Sequence, residues 1–322
     1  MRKYTLLTVV IGLAVLPPKA RAEENQGQDK AVAAIEKRGG RVEVDTARPG
    51  KPVIAVTLTS DDVTDADLVH LKPLTQLQRL DLTLTGVTDE GLPHLKELKQ
   101  LRTLCLRYTK VTGAGLKHLA GFDRLEDLSL QFTNVTDKGL PDPKAFPRLR
   151  TLNLSFTGIT DAGLKDVGGL KSLADLNLSE TNVSDQGLEH LRGLAQLRAL
   201  KLDNTRVAGE GLRHLKGLAN LESLTLFPSA TQHHLEHLSV LTQLRALDLR
   251  SGDITDADLA HLKGLIKLRE LHLHNTEVSD AGLAHLKGLT ELRFLDLRLT
   301  KVTRAGVEKL RKELPKAKVA GD

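Results

Sequence analysis

His272 and His274 stand two apart in the stretch LHLHN. On a strand, residues i and i+2 point to the same side, so the two imidazoles would share a face. Asp248 lies 24 residues before His272 and Asp296 lies 24 after it. Two imidazoles and two carboxylates are donors that suit zinc, provided they converge at about 2 Å. Alternate strand residues spread their tips apart, however, and Arg250 and Arg298 would repel a cation. The same six residues also read as a polar surface of carboxylate–guanidinium pairs. No serine joins the histidines in a triad-like arrangement. Cys105 is the only cysteine, and the residues 24 positions either side of it are Asp81 and Ser129. No imidazole there would generate a reactive thiolate. No cofactor and no resident metal are expected.

Eight more histidines recur at His70, His94, His118, His190, His214, His237, His261 and His285, each seven residues after the first residue of a "VTDxGL"-type unit. One per layer of a repeat, they cannot converge on a single metal ion. They read as a solvent-facing or structural row that gains charge below about pH 6.5.

The repeat behind that row dominates the chain. Units open at Val63, Val87, Val111, Val135, Ile159, Val183 and Val207, each 24 residues apart. Ala230 follows after 23, and Ile254, Val278 and Val302 resume the step of 24. The irregularity falls in LFPSATQ, Leu226 to Gln232. Upstream of each opener runs LxxLxLxxTxV, as in Leu77, Leu80, Leu82, Thr85 and Val87. The alternating leucines suit a strand with one buried face, and the following TDAGLAHLKGL spacing suits a short helix. Thr or Ser followed by Asp (Thr64-Asp65, Ser279-Asp280) reads as an N-cap with a negative charge in the first helical turn.

The pattern resembles the leucine-rich repeat, L-x-x-L-x-L-x-x-N/C-x-L, over about eleven units from Val53 to Leu314. Thr replaces the usual Asn or Cys, and its hydroxyl can still hydrogen-bond loop backbone. The resemblance implies an α/β solenoid, a horseshoe of parallel concave strands backed by short convex helices. Among such proteins the repeats are most similar to those of exported bacterial chains. F-box receptors carry related repeats, but no F-box-like helical segment precedes these. What the resemblance implies for function is a non-enzymatic scaffold that binds protein, or less often glycan, on its concave face.

The register assigns that face. The middle strand site reads Thr57, Asp81, Cys105, Ser129, Asn153, Asn177, Lys201, Thr225, Asp248, His272 and Asp296. Two residues on it reads Thr59, Thr83, Arg107, Gln131, Ser155, Ser179, Asp203, Phe227, Arg250, His274 and Arg298. Just past the strand, Leu84, Tyr108, Phe132 and Phe156 occupy one column in successive units. Three of the chain's eight aromatic residues stand there. The column is either tucked beneath the turn or an exposed apolar ridge, of the kind that anchors protein partners. Candidate binding residues are therefore Leu84, Tyr108, Phe132, Phe156, Arg107, Gln131, Asn153, Asn177, Asp203, Phe227, Arg250, His272 and His274. Asp81, Asn153, Asn177 and Asp203 would serve a glycan instead, although few aromatics are there to stack on sugar rings.

The ends differ from the array. Arg2 and Lys3, an apolar run from Tyr4 to Leu16, Pro17-Pro18 and Ala20-Arg21-Ala22 read as an export signal over residues 1–22. The run is shorter than the roughly 20 residues of a membrane span; retention as an anchor is the alternative. Removing Arg2, Lys3, Lys19 and Arg21 takes the formal charge from +5 to +1. With no basic run interleaved with aromatics, nucleic acid is not an expected partner. Residues 23–52 read as an N-terminal cap with a helix around Asp29–Arg38, residues 53–314 as the repeats, and 315–322 as a C-terminal cap or tail. The expected location is periplasmic, cell-envelope or secreted.

Overall fold

The computed structural model describes residues 18–140, 142–226 and 235–321. The apolar run from Tyr4 to Leu16 and Phe227 lie outside them. Among the described residues, thirteen strands form one sheet whose spatial order is the chain order. Strand β1 (Arg41–Val44) pairs antiparallel with β2 (Val53–Thr57); every later pairing is parallel, through to β13 (Lys318–Ala320). Helix α1 (Pro18–Lys37) precedes β1 and is longer than the Asp29–Arg38 segment expected from sequence, running through the Ala20-Arg21-Ala22 triplet. No helix among the described residues is long and apolar enough to cross a membrane.

Each unit buries its leucines between sheet and helical side. The strand leucines from Leu80 to Leu295 and the opener residues from Val63 to Val207, with Ile254 and Val278, join one continuous cluster of buried apolar residues. No unit closes a core alone, so burial is shared between neighbours. The helical segments differ from expectation. Most are 3-10 turns, such as Asp65–Leu71, Gly187–Gly193 and Glu210–Gly217. Leucines three apart, as at Leu283, Leu286 and Leu289, line one side of a three-residue turn better than one of 3.6. α-Helix appears only in α2 (Gly113–Leu116), α3 (Asp161–Val167) and α4 (Arg304–Glu313) among the repeats described.

Two polar ladders hold the turns. Thr85, Thr109, Thr133, Thr157, Thr181, Thr205 and Thr276 each donate a hydroxyl hydrogen bond to the carbonyl three residues back, at 2.6–2.8 Å. All seven are buried, so this bond satisfies the hydroxyl where Asn or Cys would otherwise stand. The Asp of the TD pair does something its sequence position does not announce. Asp65 Oδ1 accepts from Thr88 N at 2.8 Å and Oδ2 from Thr88 Oγ1 at 2.7 Å, across to the next unit. Asp89, Asp137, Asp161, Asp256 and Asp280 repeat the clasp on Thr112, Thr160, Ser184, Ser279 and Thr303. The glycine of the next unit makes room for it. A Cβ on Gly91, Gly115, Gly163 or Gly187 would meet that Asp Oδ1 at 2.2–2.4 Å.

In two units that lack an upstream Asp, the glycine slot itself carries Asp. Asp67, in the first unit, accepts from Thr64 N at 2.9 Å, and Asp258 accepts from Thr255 N at 2.8 Å and its hydroxyl at 2.7 Å.

Candidate interaction surface

The strand pairing sets the concave columns. Thr57 faces Asp81, Asp81 faces Cys105, and the pairing continues through Ser129, Asn153, Asn177, Lys201, Thr225, Asp248 and His272 to Asp296. A third column, two residues earlier and outside the two that the leucine register highlights, shares the face: Arg79, Thr103, Asp127, Thr151, Asp175 and Ala199.

Much of the middle column is occupied locally. Asn153 Oδ1 accepts from Ser155 N at 3.0 Å and Ser155 Oγ at 2.7 Å. Asn177 Oδ1 accepts from Ser179 N at 2.9 Å, and Asp81 Oδ1 from Thr83 N at 2.9 Å. A side-chain oxygen bonded to the backbone two residues on turns the chain out of the strand. These acceptors shape the strand exit, which reduces what they can offer a sugar.

Asp248 and Asp296 make the same turn and also hold guanidinium groups. Arg250 Nε lies 2.9 Å from Asp248 Oδ2, and Arg298 Nε lies 2.8 Å from Asp296 Oδ1. The Arg298 hydrogen bond holds the Asp296 carboxyl below the ordinary carboxylate range, against the opposing effect of burial. His272 lies between the two aspartates, its ring tilted 5.2 Å from that of Phe294. His274 Nδ1 is buried without a partner. Among the described residues no three His, Cys, Asp or Glu side chains are grouped to hold a metal ion. The carboxylates that zinc would need are bound to arginine.

The eight repeated histidines sit on the helical side, none buried. Cys105 Sγ lies 3.2 Å from Thr83 Oγ1, with no imidazole opposite it in the sheet. Burial raises the carboxyls of Asp175 and Asp203. The charge of Asp127 adds to the effect at Asp175, while a hydrogen bond from Ser179 opposes it at Asp203.

The column past the strand is the exposed ridge of the two readings. Leu84 is 53% exposed, Tyr108 42% and Phe156 39%, and Phe132 is half-buried between the two rings. The Tyr108 and Phe132 ring centroids are 4.3 Å apart at 11°, and those of Phe132 and Phe156 are 3.9 Å apart at 14°. Because the rings cover one another's faces, the ladder shows edges to solvent, and both faces of Phe132 are closed to a stacking sugar.

The backbone under the ridge is left-handed. Leu84, Tyr108, Phe132 and Phe156 all have φ between 54° and 61°. Glu180, Asn204, Ser251, Asn275 and Leu299 continue the same left-handed column, and Leu299 is 64% exposed. Asn suits that conformation and bulky side chains do not. The two asparagines, Asn204 and Asn275, are the signal in the sequence that could have identified it.

Arg107, one residue inward of the ridge, places its Cζ 5.9 Å from the Tyr108 ring centroid and leaves Nε buried without a partner. At the other end Glu180 accepts from Asn204 Nδ2 at 2.6 Å. Gln131 and Asp203 lie half-buried in the Arg107 column.

Comparison with known proteins agrees with this architecture. Leucine-rich repeat family models match residues 147–207 and 74–92. An internalin from Listeria monocytogenes superposes with a TM-score of 0.64 at 18% identity, covering 97% of this chain and 94% of that one. A chain of the mouse RP105/MD-1 complex superposes with a TM-score of 0.56 at 18% identity, covering 81% of this chain and 45% of that one. No curated protein matches the sequence. At such identities the shared property is the fold, a leucine-rich repeat solenoid.

Proposed function

We propose that this leucine-rich repeat protein is an exported, non-enzymatic scaffold that binds a protein partner along its concave face, anchored on the ridge of Leu84, Tyr108, Phe132 and Phe156. The observation that carries the reading is three stacked aromatic rings on left-handed backbone, at the solvent edge. A bulky residue there costs on the order of 1 kcal/mol or more, and strain kept at an exposed site points to use. Aromatic side chains partly open to solvent are common anchors of protein interfaces. The charged start, apolar run and small-residue triplet over residues 1–22 support export. The mouse RP105/MD-1 assembly is one solved case of this fold in a complex.

The test is affinity capture from the native cell envelope, with wild type and the Phe132→Ser/Phe156→Ser variant as baits. The expected result is a protein partner retained by wild type and lost by the variant, at matched melting temperature. Equal capture by both baits would overturn the ridge as anchor.

A further inference from the structure

The ridge carries opposite charges at equal distances from its centre. Numbering its rungs along the sheet, Tyr108 with Arg107 is one rung before Phe132, and Glu180 is one rung after Phe156. Among the described residues neither Arg107 nor Glu180 has an ion-pair partner; Glu180 accepts only from Asn204, and Arg107 Nε is left without a hydrogen bond. Two-fold interfaces require a surface complementary to itself. A two-fold axis passing between Phe132 and Phe156 sets Phe132 against Phe156 of the second copy. The same operation sets Tyr108 and Arg107 against Glu180 of the second copy, and Leu84 against Asn204 of the second copy. The spacings agree because both ladders share one strand step of about 4.8 Å.

We propose that the occupant of the ridge is a second copy of this chain, packed antiparallel so that two Arg107–Glu180 pairs flank a stack of aromatic edges. This rests on the reading of the ridge as a contact surface and names its partner. The contact is a single column of about six rungs a side, short of the roughly 800 Å² per partner of a standard interface. The dimer is therefore weak, and it weakens further with salt as the flanking pairs are screened.

Sedimentation equilibrium of the full chain at low ionic strength tests it. Wild type shows a monomer–dimer equilibrium. Arg107→Glu and Glu180→Arg, each confirmed folded by circular dichroism, place like charges opposite one another at both contacts and weaken association by about tenfold or more. Mixed in equal amounts, the two variants restore it, because each contact then pairs Glu with Arg. A wild type that stays monomeric, or a mixture no stronger than its components, overturns the proposal. If the chain is monomeric while envelope capture still depends on Phe132 and Phe156, only the self-association fails. If capture is also indifferent to them, the ridge reading fails with it.

Discussion

Asp161 clasps Ser184 of the next unit: Oδ1 accepts from the amide at 2.7 Å and Oδ2 from the hydroxyl at 2.6 Å. Both bonds involve a carboxylate and are stronger than neutral ones. Asp161→Ala should lower stability by about 1–2 kcal/mol, the usual consequence of a lost cap bond. Gly187→Ala should also destabilise, since its Cβ would stand 2.3 Å from Asp161 Oδ1. Once Asp161 is gone that clash disappears, so Gly187→Ala should be milder in the Asp161→Ala background. Urea midpoints of the four proteins measure the coupling, and strictly additive losses would contradict the contact.

The clasp explains a second, less intuitive expectation. The unit that opens at Val111 has Gly113 where its neighbours have Asp. Restoring the repeat's usual residue there should destabilise. A Cβ on Gly113 would meet Lys138 O at 2.1 Å, and Gly139, at φ +91°, already packs its backbone against Gly113. Gly113→Asp should therefore lower the thermal midpoint, and a rise would show that the Gly113–Gly139 contact can open to admit the clasp.

How far the sequence carries differs between these features and the sheet. The concave column from Thr57 to Asp296 is readable because the paired leucines set a register that a slip of one residue would reverse. The long reach of Asp161 is not readable, because Thr-Asp before a helical turn is also the signature of a local cap. Only the alternation of TDxG with TDAD, at Asp67 and Asp258, hints that the carboxylate serves the following unit. The ridge is visible as a column, but its left-handed backbone is masked by the aromatics and shows only at Asn204 and Asn275. The helical turns read as α because leucines three apart fit both periods over so short a run.

Acid should act in two stages. Burial raises the carboxyls of Asp175 and Asp203 above the ordinary value. The folded chain then takes up those protons before the unfolded chain does, so stability rises as pH falls from neutral toward about 4. The opposite holds at Asp280, lowered by hydrogen bonds from the Thr303 hydroxyl and amide, and at Asp296, lowered by that from Arg298. Their contribution is present above about pH 4 and lost as pH falls through their folded values. Thermal midpoints measured across the acid range should pass through a maximum before falling. Asp203→Asn should flatten the rise, and Asp280→Asn should soften the fall. A steady decline from neutrality would contradict the raised pair.

The left-handed ridge allows function to be separated from stability at one residue. Phe156 has φ 55° and stacks on Phe132 at 3.9 Å. Replacing it by Asn loses a ring pair worth about 0.5–1.5 kcal/mol. The same change relieves a backbone strain of on the order of 1 kcal/mol, because Asn is at ease in this region. The relief offsets part of the loss of the stack and of the ring's partial burial, so Phe156→Asn should destabilise by less than loss of the buried ring alone would. Phe156→Val loses the stack and adds a β-branched side chain to the same φ, so it should be less stable than the Asn variant by about 1 kcal/mol or more. Urea unfolding of both variants decides it. If Asn proves as damaging as Val, the ring is held by packing and the strain argument fails. If Asn is tolerated while self-association and envelope capture decline, Phe156 is kept for what it touches.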